Sequence, residues 1–276
     1  MIEKSDGTSD FSKKTKLCEF CGNELEQVTM KFGEIIKYYP AYKKCDCKEA
    51  QEAIEKEKEE KRKALALEKQ LLAEQRKINK IKNLFGNSGM SKRAMECSFD
   101  GYQTTFQNAQ AVQVCSEYVK DFDVISTSNR NGLFITGDCG VGKSHLAFAI
   151  ANSLIKEGNS VIAMTMIDLL LKIKDSYNAK NLTEEQILNI YEDCALLIID
   201  DLGKEKPTEW VLQMIYSIVD RRYNAKKPTI ITTNYNASEL IKRFGDASTG
   251  KAIVDRLFET CQYVPIGGDS FRKKGD

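Results

Sequence analysis

One short segment constrains this chain more than any other. Leu133-Phe134-Ile135-Thr136 leads into Gly137-Asp138-Cys139-Gly140-Val141-Gly142-Lys143-Ser144, and a helix-like stretch from His145 to Ile155 follows. An apolar strand, a glycine-rich turn and a helix in that order make a P-loop. The glycines let successive backbone N–H groups face one point, where the helix N-terminus adds partial positive charge, so main chain alone can hold most of a polyphosphate. Gly137, Asp138, Cys139, Gly140, Val141, Gly142, Lys143, Ser144 and His145 are therefore the candidate nucleotide-binding residues. Lys143 is expected to reach the β and γ phosphates, and the Ser144 hydroxyl to ligate Mg²⁺.

A P-loop of this kind requires a buried sheet around it. Ala195-Leu196-Leu197-Ile198-Ile199-Asp200-Asp201 is a continuous apolar run ending in two carboxylates, as a strand covered on both faces of a parallel sheet requires. Asn159 to Thr165 and Pro228 to Asn234 read as further strands. Between them, Ile167 to Tyr177, Thr183 to Tyr191 and Trp210 to Tyr223 read as helices, as do Ala109 to Phe122 before the P-loop and Gly250 to Thr260 near the end. Phe99 to Phe106 reads as an extended lead-in. Strands alternating with helices predict an α/β domain with a parallel sheet flanked by helices.

The chain before this domain has a different character. Cys18-Glu19-Phe20-Cys21-Gly22 is answered by Cys45-Asp46-Cys47, with Val28 to Tyr39 alternating as a hairpin between them. Gly22 permits the tight turn that aims N–H groups at sulfur. Four thiolates favour tetrahedral Zn²⁺, although an Fe–S cluster has the same ligand type. Cys18, Cys21, Cys45 and Cys47 thus predict a small zinc-ribbon-like module whose zinc is structural, because four protein ligands leave no open catalytic position. From Lys48 to about Phe85 the sequence is dense in Glu, Lys, Ala and Leu, acidic first and basic later, which suits a long solvated helix. Gly86 to Gly89 ends it. The expected division is a cysteine module over 1–50, a linker helix over 51–89 and a nucleotide-binding domain over 90–276.

The net charge of +1 gives no global attraction to nucleic acid or membrane, so any basic patch must be local. No run approaches the roughly 18 apolar residues of a membrane span, and the polar start is unlike a signal peptide, so a cytoplasmic location is expected. In a reducing compartment, nine cysteines indicate metal ligands and buried thiols rather than disulfides.

The chemistry is expected at the carboxyl ends of the strands. There Asp200 is placed to hold Mg²⁺, and Asp201 to polarise an attacking water. Asn234, after Thr232-Thr233, can orient that water or read the γ-phosphate; alternatively it caps the helix predicted over Ala237 to Arg243. Arg256 can act on a neighbouring subunit as an arginine finger, or else form a surface salt bridge with Asp255 or Glu259.

Taken together, GDCGVGKS, LLIIDDLG, IITTN and the late DRL motif resemble AAA+ ATPases of the DnaC/DnaI type, the replicative helicase loaders, and their phage equivalents. The cysteine module ahead of a linker helix is similar to the DnaI-like branch. The resemblance implies Walker A roles for Lys143 and Ser144, Walker B roles for Asp200 and Asp201, sensor 1 for Asn234 and a finger acting in trans for Arg256. Arg272 falls where the family carries a sensor 2 arginine. Asp201 stands where vigorous AAA+ ATPases commonly have glutamate, so slow hydrolysis is implied. The resemblance also implies that the N-terminal module grips a hexameric DnaB-type helicase, while the ATPase domain binds single-stranded DNA and self-associates. The extra helix that lines the DNA path in such proteins would be Asp168 to Tyr177, where Lys172 and Lys174 can meet phosphates and Tyr177 can stack on a base. The expectation is a helicase loader switched by ATP and Mg²⁺, with an IstB-type transposition helper as the alternative.

Overall fold

A computed structural model of the chain describes residues 13–32, 35–86, 88–177, 182–245 and 248–271. It divides into two compact units, Met1–Leu71 and Leu72–Asp276.

In the first unit, β1 (Lys16–Leu17) pairs antiparallel with β2 (Glu24–Leu25), and β3 (Gln27–Phe32) with β4 (Ile35–Tyr42). The second pair is the hairpin expected between the two cysteine pairs. Gln27 is buried there, its amide nitrogen donating to the Tyr39 carbonyl and its amide oxygen accepting from the Lys14 N–H. Cys18 and Ala50 are the buried apolar residues among those described. So thin a core contributes little folding energy, and the thiols must supply the rest.

Helix α1 (Lys48–Phe85) carries the division between the units, after Leu71. Its exposed first half is laced by ion pairs one turn apart, including Lys61 with Glu57 at 2.5 Å and Lys58 with Glu55 at 3.2 Å. Each such pair adds about 0.3–0.5 kcal/mol, which with high intrinsic propensity sustains a helix that buries almost nothing. Its last turns differ: Ile81 and Phe85 are buried in the core of the second unit, with the Phe85 ring 5.8 Å from that of Tyr191.

The second unit begins with those turns and continues through α2 (Lys92–Met95), α3 (Ala109–Lys120), α4 (Phe122–Ile125), β5 (Gly132–Gly137) and α5 (Lys143–Lys156). Next come β6 (Val161–Thr165), α6 (Met166–Ser176), α7 (Glu184–Asp193), β7 (Leu196–Asp200) and α8 (Glu209–Asn224). The chain closes with β8 (Thr229–Thr233), α9 (Ala237–Arg243), α10 (Ser248–Thr260) and β9 (Cys261–Ile266). Strands β5 to β9 form one parallel five-stranded sheet in the order β6-β7-β8-β5-β9.

The apolar runs are continuous because both faces are covered. Leu133, Ile135, Leu196 and Ile198 face one core with α3 and α5. Phe134, Leu197, Ile199 and Ile231 face the other, with α6, α7, α8 and α10. The connection leaving β5 runs past β8 and β7 to β6, whereas the one leaving its neighbour β8 runs the other way, past β5 to β9, so the crevice at the ends of β5 and β8 is the topological switch point where open α/β sheets bind ligands.

Two expectations differ from what is observed. Phe99 to Phe106 forms turns rather than an extended segment, because Tyr102 folds inward and donates to the Val141 carbonyl at 3.0 Å. A strand, β9, lies where none was predicted. It occupies the edge beside β5, where Pro265, which cannot donate a ladder hydrogen bond, is tolerated.

Candidate nucleotide site and cysteine cluster

The predicted loop sits at the carboxyl end of β5 and opens α5. Gly142 is the N-cap residue, with φ +97°, and a Cβ there would come within 2.6 Å of the Tyr102 ring. Gly140, at φ +90°, would likewise drive a Cβ into Ser270. Both positions combine a left-handed backbone with a crowded neighbour, which only glycine meets. The Lys143 ammonium donates to the carbonyls of Gly137 at 2.9 Å and Asp138 at 2.8 Å. Burial pushes its pKa down, while Asp201 and Cys139 pull it the other way. His145 sits behind the loop, its Nε2 2.8 Å from the Ser98 carbonyl.

Asp200 and Asp201 lie at the tip of β7, next to β8. The Thr232 hydroxyl donates to Asp200 Oδ1 at 2.5 Å and accepts the Asp201 N–H at 2.9 Å, so one side chain fixes both acids. The Ser144 hydroxyl lines the same cavity as Asp200. Burial pushes the Asp200 carboxyl up, and the Thr232 and Ser144 hydroxyls offset part of that rise. Two hard oxygen donors so placed fit Mg²⁺, which prefers carboxylate, hydroxyl and phosphate oxygens. Asp201 has φ +60° and pairs with Lys204 Nζ at 2.7 Å. Lys143, Ser144, Asp200, Asp201 and Lys204 line one cavity of about 540 Å³ together with Asn234, Tyr102 and Phe271.

Asn236, not Asn234, caps α9, in a capping box with Glu239, and Asn234 faces that cavity. Arg256 lies outside the cavity, on α10. Its guanidinium pairs with Asp220 of α8 at 2.8 Å and sits over the rings of Tyr216 and Tyr223. The partner is thus neither Asp255 nor Glu259, and Glu259 instead accepts from Tyr223. On α6, Lys174 stands 4.7 Å over the Trp210 ring, and the Tyr177 hydroxyl donates to Glu184 and accepts from Trp210 Nε1. Lys172 is half-buried on the same helix, and Tyr177 is exposed. Arg272 lies outside the described residues.

In the first unit the four predicted thiols converge. Cys18 and Cys47 Sγ are 3.9 Å apart and Cys21 and Cys45 Sγ 3.5 Å, with all four sulfurs within 4.8 Å of one another. A tetrahedron with Zn–S bonds of about 2.3 Å has edges of roughly 3.8 Å, so the spacing fits the metal. The N–H groups of Cys21 and Phe20 lower the Cys18 thiol pKa to about 7, whereas burial and the crowding of the other sulfurs push Cys21 up and Cys47 up to about 12, so the cluster without metal shares its protons unevenly. The described residues therefore contain a four-cysteine cluster that can bind zinc.

Thr232, Lys204 and Tyr102 complete the nucleotide site and were not singled out from sequence. Their weak signals were a hydroxyl ending the apolar run of β8, a lysine in the turn after the acids, and an aromatic ahead of α3.

A P-loop above the switch point of a parallel sheet, with the strand that ends in two acids, β7, one place away across β8, defines an AAA+ ATP-binding domain. The chain matches the model of the IstB-like ATP-binding proteins over residues 47–276 and belongs to that family. It is 30% identical over 240 residues to the replicative helicase loader DnaC of Escherichia coli (strain K12), covering 86% of this chain and 93% of the relative. The crystal structure of the DnaC helicase loader superposes with a TM-score of 0.55 at 27% identity, covering 64% of this chain and 100% of that one. The DnaI crystal structure shares the fold, with a TM-score of 0.55 at 22% identity, covering 66% of this chain and 93% of that one.

Proposed function

We propose that this protein loads a DnaB-type replicative helicase onto single-stranded DNA, with ATP binding and slow hydrolysis as its assembly switch. The observation that carries the proposal is the convergence of Ser144, Asp200, Asp201 and Asn234 on the P-loop cavity, in a chain that aligns with a helicase loader over most of its length. In this reading Lys143 and the loop N–H groups bind the β and γ phosphates, and Ser144 and Asp200 hold Mg²⁺. Bound Mg²⁺ would neutralise phosphate charge and fix the angle of the terminal phosphate. Asp201 orients and deprotonates the attacking water, and Asn234 steadies it. Asp201 is one methylene shorter than glutamate, which accords with slow turnover. Arg256 would leave Asp220 to reach the nucleotide of a neighbouring subunit, and Arg272 would complete the pocket from the C-terminal side.

Residues 1–50 would be the zinc-bearing helicase-interaction module, 51–89 the linker, and 90–276 the ATPase domain. Single-stranded DNA would cross α6 at Lys172, Lys174 and Tyr177. The exposed Tyr177 ring supports this, since base stacking there would contribute about 1–3 kcal/mol. Because the matching family model is described by IstB, a transposition helper remains the second reading. Co-purification distinguishes them. Full-length protein with ATP and Mg²⁺ is expected to retain a replicative helicase and not a transposase, and capture of the transposase alone would overturn the loader proposal. Lys143→Ala is expected to abolish nucleotide binding, whereas Arg256→Ala should keep it and lose at least tenfold in ATPase rate. Equal loss of binding in both variants would remove Arg256 from its role.

A further inference from the structure

The turn after the two acids is built more firmly than a surface loop needs. Asp201 starts it with φ +60° and Gly203 continues it with φ +92°. The buried Glu205 carboxylate accepts the Gly203 N–H with both oxygens at 3.1 Å, and Arg243 Nε donates to the Gly203 carbonyl at 2.8 Å. Between these clamps stands Lys204, its backbone held and its side chain aimed into the nucleotide cavity. The ammonium is 2.7 Å from Asp201 Oδ2. Lys204 lines the same cavity as Lys143, Ser144 and Asp200.

This arrangement adds a second cation to the cavity that holds the P-loop lysine, beside the acids at the end of β7. Building on the ATP-site reading above, we infer that Lys204 is a residue of this chain that distinguishes triphosphate from diphosphate. With a diphosphate in the loop, Lys204 keeps Asp201 as its partner. A γ-phosphate offers it a second, more highly charged one, and each step that Lys204 takes toward the phosphate frees the Asp201 carboxylate toward water. Sensing of the third phosphate and release of the acid are thereby the same movement. A charge-assisted hydrogen bond of this kind corresponds to about a tenfold difference in affinity.

The test is a titration of the full-length protein with Mg²⁺ and either ADP or the slowly hydrolysed analogue ATPγS. Wild type is expected to favour the triphosphate. Lys204→Met should lose about tenfold in ATPγS affinity while its ADP affinity moves less than twofold, and Lys204→Arg should restore the preference. Asp201→Asn, which releases Lys204 from its carboxylate, should widen the preference for ATPγS, and the gain should vanish in Asp201→Asn combined with Lys204→Met. Equal losses for both nucleotides in Lys204→Met, or no loss for either, would overturn the role assigned to Lys204. So would a wild type that binds both nucleotides equally, although the nucleotide site itself would then stand. A wild type that binds neither nucleotide would remove the site and the inference together.

Discussion

At the scale of single residues, the molecule depends on side chains that serve two strands at once. Thr232 binds both acids through one hydroxyl, so Thr232→Val leaves the Asp201 N–H and a buried carboxylate without their partner. We expect a loss of about 1–3 kcal/mol in stability, read by denaturant unfolding, and at least a tenfold drop in ATPase rate with ADP binding retained. Arg222 is fully buried, and its guanidinium donates to the carbonyls of Tyr191, Cys194 and Pro228 and to the Thr229 hydroxyl, tying the entrances of β7 and β8 to α8. Arg222→Met is expected to destabilise by about 3 kcal/mol or more, and Arg222→Lys to rescue little, because an ammonium cannot span those acceptors. The local motif residues were legible in the sequence since their chemistry is set by neighbours along the chain. Thr232 and Arg222 were not, because their partners arrive only when strands align across the sheet. The partner of Arg256 was misread for the same reason: adjacent helix positions such as Asp255 point away from it, whereas Asp220 is delivered by α8 packing on α10.

At the scale of elements, strands buried on both faces announced themselves as unbroken apolar runs, and the helices of the second unit as periodic ones. The capping chemistry sharpened their ends, as with Thr183 and Gln186 at α7. What escaped was β9, whose proline argues against a strand until its edge position is known, and the two-sided character of α1. The composition of that helix reads as solvated throughout, yet its end is built into the sheet domain. Glu74 accepts the Ser160 N–H at 2.8 Å, and the Ser88 carbonyl accepts the Ala163 N–H of the edge strand β6 at 3.0 Å. An edge strand so covered is shielded from pairing with other chains. Phe85→Ala should therefore cost about 3 kcal/mol in the unfolding of the second unit, as measured by thermal or denaturant melts, whereas Leu67→Ala, at an exposed position of the same helix, should cost less than about 0.5 kcal/mol. Similar losses at both positions would contradict this division of the helix.

At the scale of the whole molecule, two kinds of stability coexist in one chain. The second unit rests on two apolar cores, one against each face of its sheet. Among its described residues the first has few buried apolar side chains and a cluster of four thiols. Chelation of metal, or Cys21→Ser, is expected to abolish the structure of the first unit and leave the main calorimetric transition of the second within about 1 °C. A fall of both transitions together would show that the cysteines support more than their own module. The bond from Thr232 to Asp200 has a mechanical consequence as well. Strands β7 and β8 are in register through Ile199 and Ile231, and the acids of the site are bolted across their tips. Slippage by a residue would turn every buried side chain to the wrong face and break the clamp on both carboxylates. The sheet thus behaves as a stiff plate in shear, and the strokes of any nucleotide cycle are left to the helices and turns hinged along its rim.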